Sequence, residues 1–515
     1  MDVAYFVNVG MRIAAGEVPY LDFPLPQAPL SFLSQAALIR LFGPSYPAQI
    51  AYVMVLGGLA TGVTYAVTRR LLTGAVARPG LLALVLCVPL VPLGIYAVYP
   101  HPFYDPDACL AILAALAAVL AARHRPGPAR WLLAGALLSL PFWVKQNIGG
   151  AFLAITIVTL AAEALARPQR RRALAWCLAG LAGAFALELV LLQSVVGIRN
   201  YVYWAFEYAL SYRGLPAERL QAFVDAGVIW PGVVLVLLVL LSQRLTAPAR
   251  AAAFTGASAA TVIALALMPG APLALRLFPP VLIATAVLAL VRSVRDGPDF
   301  ETTLPLILVV STAGALMSQG LIGSTFGIFP LLVLAIASLV RQLARFVRVP
   351  SGVAPATGVV LAALLAASGL GYAAGAERLR YIDIGTGDVV RSSFPSLAGL
   401  SARGPYIADL DEVLFWAREH VRPDEPMVFL PGEDPAYFAL GMPPRLPSVY
   451  FYDVGLPYTP AEIASIADDV GLRWVFVKDR LQLRDEPPLN QAVIAALTER
   501  ATLVARVSAY RIYRR

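Results

Sequence analysis

Residues 149–196 read GGAFLAITIVTLAAEALARPQRRRALAWCLAGLAGAFALELVLLQSVV. Two apolar runs, 149–166 and 173–197, flank a connector that carries Arg167, Arg170, Arg171 and Arg172. Each run approaches the roughly 20 apolar residues needed to cross the hydrocarbon core of a bilayer. Backbone N–H and C=O groups cannot stay unpaired in lipid, so both runs must be helices. The arginines hold the connector in water, and the stretch reads as a transmembrane helical hairpin.

Working outward, the same pattern recurs. Ten further segments qualify: 47–68, 80–98, 107–122, 128–144, 228–243, 251–268, 274–291, 303–318, 326–341 and 353–374. Several are short or contain proline (Pro141, Pro279 and Pro280). Composition agrees with twelve spans. Of 515 residues 59% are apolar and 14% charged, and mean hydropathy is +0.72, whereas a soluble domain is about 45–50% apolar and about 25% charged. The net charge of +8 is almost wholly arginine, because Lys145 and Lys478 are the only lysines. In such a chain the excess marks cytoplasmic loops and argues against a nucleic-acid partner. Cys87, Cys109 and Cys177 lie inside apolar runs without CxxC spacing, so they read as packing residues. The three histidines, His101, His124 and His420, form no HxH or HExxH pattern.

Sidedness follows from the basic residues. The loops after the first, third, fifth, seventh, ninth and eleventh spans hold seventeen arginines, and the alternate loops hold only Lys145, Arg199, Arg213 and Arg219. Basic loops stay in the cytoplasm, so both termini are expected on the outer face of a cytoplasmic membrane. Residues 1–46 would then sit outside with no helix before them. They read as two amphipathic surface stretches, 2–16 (Tyr5, Phe6, Val9 and Ile13 on one face) and 29–42 (Leu30, Leu33, Ala37 and Leu41), joined by a proline-rich connector. This placement predicts that the reading frame starts upstream of Met1 with a further helix.

After about residue 376 charged residues become frequent and apolar runs shorten to strand length. Helices are expected over 411–421, 460–470 and 491–501. Strands are expected over 427–430, 473–477, 503–507 and 510–513. Such alternation predicts a small α/β layer domain. The fold class is therefore mostly α: a polytopic membrane helical bundle (47–375) behind an outer-face segment (1–46), with a soluble extracytoplasmic α/β domain (376–515). No GxGxxG or P-loop pattern is present.

Four outer-face stretches carry candidate chemistry, since ionisable groups beside lipid are costly. Asp2 opens the first surface stretch, where an aspartate also suits a helix N-cap. Tyr20 and Asp22 lie in the proline-stiffened connector. The loop from Tyr99 to Asp107 brings His101, Tyr104, Asp105 and Asp107. Asp105 before Pro106 reads as an N-cap, which leaves Asp107 unexplained, and DxD spacing suits a divalent cation held against phosphate oxygens. Finally Lys145 and Gln146 form a tight turn between two apolar runs. A lysine there can snorkel to the interface or bind a phosphate. The loop 198–227, rich in tyrosine and tryptophan, reads as an interfacial helix or as a wall for a sugar or lipid head group.

Together these stretches resemble the GT-C superfamily of polyprenyl-phosphate-sugar-dependent glycosyltransferases, close to its bacterial family 39-like branch of mannosyltransferase-like and aminoarabinose-transferase-like enzymes. The residues that carry the likeness are Asp2, Gly16–Phe23, Pro26–Leu30, Leu41-Phe42-Gly43, Tyr104-Asp105-Pro106, Val144–Asn147 and the closing Tyr510–Tyr513. The family usually has an acidic pair where this chain has Asp2-Val3. The resemblance implies transfer of a hexosyl or pentosyl unit, with inversion, from a polyprenyl-phosphate donor to a glycan, lipid or protein hydroxyl. It makes Asp2 the catalytic base and Lys145 the phosphate ligand. Asp105 and Asp107 would orient substrate, through a divalent cation if one is used, and Tyr20 and Asp22 would shape the loop. A transporter or flippase of a lipid-linked sugar is the competing class; it would want midplane charges and broken repeats.

Overall fold

The computed structural model describes residues 2–213, 272–347, 349, 352–375, 387–452, 456–479 and 489–515, with isolated positions between 214 and 271. Helices dominate. The first are α1 (Asp2–Ala14), α2 (Leu30–Phe42), α3 (Tyr46–Leu72), α4 (Pro79–Cys87), α5 (Leu90–Leu93), α6 (Tyr104–His124), α7 (Pro128–Val144) and α8 (Gln146–Ala166). Next come α9 (Arg171–Val195), then α10 (Ile198–Val202), which continues through a π turn (Tyr203–Tyr208) into α11 (Ala209–Arg213). After the gap follow α12 (Leu273–Asp296), α13 (Phe300–Thr325), α14 (Phe329–Gln342) and α15 (Val353–Ala374). Among the described residues, seven helices are long and apolar enough to cross a membrane, and this is a multi-pass membrane protein.

The quoted hairpin is α8 and α9, joined by a single 3₁₀ turn at Pro168–Arg170. Small residues let α7 and α9 approach closely. A Cβ on Gly135 would sit 1.9 Å from the Cys177 carbonyl oxygen, and one on Gly180 would sit 2.0 Å from that of Leu132. The span expected over 80–98 is a correction: it is not one helix but α4 and α5, followed by turns to residue 103. Pro89, Pro92 and Gly94 explain the break, since proline in a helix interior removes a donor and clashes with the preceding turn. The expected spans 228–243 and 251–268 lie outside the described residues apart from isolated positions.

The surface-lying reading of residues 2–16 is also corrected. Helix α1 is covered on two sides. Phe6, Val9 and Ile13 join the core of the membrane bundle, while Val7 is buried in the core of the C-terminal domain, with Val3 and Met11 packed against it. Spacings of three and four residues give a helix two such faces. Its polar residues are buried as well: Asn8 donates to the Asp434 carbonyl (3.0 Å) and accepts from the Phe438 N–H (3.1 Å), and Arg12 donates to the Leu446 carbonyl (2.8 Å). Helix α2 keeps Leu30, Leu33 and Leu41 outward, on the face a bilayer would cover, and turns Ser31, Phe32, Gln35 and Ile39 inward.

The C-terminal domain contains α16 (Tyr406–His420), α17 (Ala436–Leu440), α18 (Pro460–Asp469) and α19 (Gln491–Thr498). Its main sheet holds β3 (Met427–Leu430), β4 (Trp474–Lys478), β5 (Thr502–Val507) and β6 (Tyr510–Arg514) in the order β3-β4-β6-β5. A separate antiparallel pair, β1 (Val389–Arg391) with β2 (Ser401–Arg403), precedes it. β3 and β4 are parallel, with Val428 opposite Val475, and the other pairings are antiparallel. Side chains alternate across the sheet: Phe429 and Phe476 pack with α16, and Val428, Val475 and Val477 with α18 and α19.

Candidate active site

The chain's two lysines are both buried and both ion-paired. Lys145 is 4% exposed and Lys478 2%. Lys145 sits between α7 and α8 in extended backbone (φ −154°), because Pro141 and the close Gly149 fold the two helices back on each other. Its ammonium lies 2.5 Å from Asp105 Oδ1 and 4.3 Å from the centre of the Tyr104 ring. Asp105 does not cap α6, as the sequence suggested; the cap position is Phe103, and Asp105 lies within the first turn. An anionic side chain is favourable there because the helix N-terminus is partially positive. Tyr104 stacks on Phe103 (4.4 Å between centroids) and contacts Phe6 of α1 (5.5 Å). The turn before α14 closes the other side, where a Cβ on Gly327 would stand 2.8 Å from Asp105 Cβ.

Two residues along α6 is a rotation of about 200°, so Asp107 meets a different set of partners. Ser31 Oγ donates to it at 2.7 Å, Tyr52 OH at 3.5 Å, and Tyr96 OH also hydrogen-bonds to it. Tyr96 holds φ at +67°, and Tyr20 does the same. A left-handed backbone costs a bulky residue about 1–3 kcal/mol, and such strain clusters at functional sites. Beside Ser31 and Tyr52, one helical turn away, the buried amides of Gln35 and Gln49 have no hydrogen-bond partner among the described residues. Buried polar atoms left unpaired cost about 1–3 kcal/mol each, so this flank suits a polar occupant.

The connector expected to shape the site is pinned above it. Gln146 accepts from Ala28 N–H (3.0 Å) and donates to the carbonyls of Ala205 (3.2 Å) and Pro26 (3.4 Å). Tyr20 donates to the Gln27 carbonyl (2.6 Å) and Tyr5 to its side-chain oxygen (2.7 Å). Burial pushes the Tyr20 hydroxyl well above its usual pKa, so it stays a donor. Asp22 is exposed and accepts from Val18 N–H at 2.6 Å, closing its own turn. His101 is buried against Tyr99 and Phe103. Asp2 begins α1, and its side chain lies outside the described residues.

The structure thus brings Tyr104, Asp105 and Lys145 together, sets Asp107 among Ser31, Tyr52 and Tyr96, and uses Gln146 and Tyr20 to hold the connector. Among the described residues no group of three or more His, Cys, Asp or Glu side chains is placed to hold a metal ion. Asp105 and Asp107, the pair suggested for a cation, are engaged by different partners. Sequence reading missed Ser31, Tyr52 and Tyr96, and also Glu188 of α9, which accepts from Ser139 Oγ (2.8 Å) and from the Trp143 indole.

No protein-family model matches the chain, and no curated protein matches it. Among solved structures it is similar to crystal structures of ArnT from Cupriavidus metallidurans. For the apo state, identity is 14%, coverage is 99% of this chain and 93% of that one, and the TM-score is 0.43. For the form bound to undecaprenyl phosphate the values are 13%, 100%, 93% and 0.43. A likeness at that level assigns no residue a role, so function is argued below from the chain's own geometry.

Proposed function

We propose that this protein is an integral membrane glycosyltransferase, which moves a sugar from a polyprenyl-phosphate donor to an acceptor hydroxyl at the outer face of the cytoplasmic membrane. The observation that carries the reading is the buried Lys145–Asp105 pair under the Tyr104 ring, at the end of the bundle that carries the C-terminal domain. The order of motifs along the chain and the arginine count support it further.

In this reading the acceptor oxygen attacks the anomeric carbon as the bond to the phosphate oxygen breaks, and that bond's electron pair leaves with the phosphate. Charge growing on the phosphate needs a fixed cation. An ammonium has three N–H donors, so Lys145 can serve Asp105 and a phosphate oxygen together, with Asp105 aiming it. The acceptor's proton passes to a carboxylate, a role that falls to Asp2 by resemblance. Asp107, ringed by Ser31, Tyr52 and Tyr96, suits hydroxyl recognition, as do the buried amides of Gln35 and Gln49. A divalent cation at Asp105 would compete with Lys145 for the same carboxylate.

The test is release of free polyprenyl phosphate by the purified full chain from a panel of labelled polyprenyl-phosphate hexoses and pentoses. Release that needs an acceptor supports the reading. Movement of intact donor across vesicles without cleavage would assign the chain to the transporter class instead.

A further inference from the structure

At the opposite end of the bundle the helix ends enclose a cavity of about 710 Å³. Arg69 and Arg70 from the end of α3, Arg123 from α6, Arg170, Arg341 from the end of α14 and Arg345 from the π turn (Leu343–Val347) that continues it all line it. Among the described residues, Glu301 is the only carboxylate in its wall. From Asp105 to Arg123 along α6 is about 27 Å at 1.5 Å per residue, so this cavity is separate from the candidate active site.

The six arginines are unevenly balanced. Arg123 pairs with Glu163 and, at 2.7 Å, with Asp299; Arg170 lies 3.6 Å from Glu163 and Arg341 2.5 Å from Glu301. Among the described residues, the side chains of Arg69 and Arg70 have no ion-pair partner and Arg345 hydrogen-bonds to the Thr73 carbonyl alone (3.3 Å). Arg341 is buried, and its Nε has no hydrogen-bond acceptor among the described residues. Burial and the neighbouring positive charges of Arg341 and Arg292 lower the Arg345 pKa. Basic residues at the cytoplasmic ends of spans are expected; here Arg69 and Arg345 stay exposed, yet all six arginines line one concave space. Guanidinium forks match phosphate oxygens in pairs, and the volume falls within the range of small-ligand sites.

We infer that this cavity is a second binding site, for a phosphate-bearing anion, at the face of the membrane opposite the C-terminal domain. Its position at the ends of the spans allows two sources of the same chemistry: the phosphodiester of an anionic lipid or a free phosphate from solution.

The experiment uses the purified full chain in neutral detergent. Binding of dioctanoyl-phosphatidylglycerol, dioctanoyl-phosphatidylcholine and inorganic phosphate is measured by calorimetry. Three forms are compared: wild type, Arg69→Ala with Arg345→Ala, and a control with Arg171→Ala and Arg172→Ala, which lie at the same end but outside the cavity. The expected result is at least tenfold tighter binding of phosphatidylglycerol or phosphate than of phosphatidylcholine. That preference should be lost in the cavity variant, kept within twofold in the control, and weakened by salt. Preference for phosphatidylglycerol over phosphate assigns a lipid, and the reverse order assigns a soluble anion. Equal loss in both variants, or no preference for an anion in wild type, would overturn the inference. If the paired cavity variant fails to fold, Arg70→Gln carries the same expectation, with an unchanged thermal midpoint without ligand as its control.

Discussion

Lys478→Met removes, among the described residues, the one cation paired within a buried polar cluster of the C-terminal domain. Lys478 at the end of β4 pairs with Glu433 and with Asp434 (3.1 Å), and Asp434 also accepts from Tyr510 OH (2.6 Å). All three charged residues are at most 2% exposed. Methionine keeps the apolar stem but leaves two carboxylates in a dry site. Removing one partner of a buried pair costs about 3–5 kcal/mol, so a loss of that size is expected at pH 7. Burial by itself would lower the Lys478 pKa, but Asp434 and Glu433 outweigh it and hold the value above that of ordinary lysine. A raised pKa means that the contribution is complete below the unfolded value of about 10.4 and fades only as pH climbs through the folded value. The wild-type contribution should therefore be flat from pH 6 to about pH 10. The assay is thermal unfolding of the full chain, read by proteolytic release of the C-terminal domain. Adding Glu433→Gln and Asp434→Asn should recover most of the loss. A deficit under about 1 kcal/mol at pH 7, or no recovery when both carboxylates are neutralised, would refute the reasoning.

Three further outcomes are expected. Asn8→Ala strands the Asp434 carbonyl and the Phe438 N–H at the seat of the C-terminal domain, and should weaken docking by about 1–3 kcal/mol, seen as faster proteolytic release while the helices stay intact. Gly180→Ala puts a Cβ into the Leu132 carbonyl, so α7 and α9 must separate; the thermal midpoint should fall by more than after Gly183→Ala, where none of the described residues lies within 4 Å. Gly327→Ala pushes on Asp105 and Pro106 and should reduce transfer more than it reduces stability, measured as kcat beside the thermal midpoint.

The parts legible in sequence were those set by hydropathy and periodicity. The hairpin at Arg167–Arg172, the strand Met427–Leu430 and the helix beginning at Pro460 lie where the residues put them. The break at Pro89 and Pro92 was hidden because averaged hydropathy is blind to one missing N–H. Helix α1 was misread because only one face was weighed. Asn8 and Arg12, four residues apart on an apolar helix, were the available sign that a second surface covers it. The meeting of Asp105 with Lys145 was suggested only by their shared side of the membrane; contact between residues forty positions apart is a packing result. Ser31, Tyr52 and Tyr96 carry no motif, and only the fold gathers them around Asp107.

The central claim is that the Asp105–Lys145 pair carries phosphate binding during sugar transfer. Asp105→Asn combined with Lys145→Gln tests it most directly, because it leaves no unpaired buried charge and so preserves the fold. With a polyprenyl-phosphate donor that the wild type cleaves, release of free polyprenyl phosphate should fall by about 10²–10³, the usual loss when a fixed donor to the developing charge is removed, while the thermal midpoint stays near that of wild type. Turnover within threefold of wild type would make the pair purely structural and contradict the account.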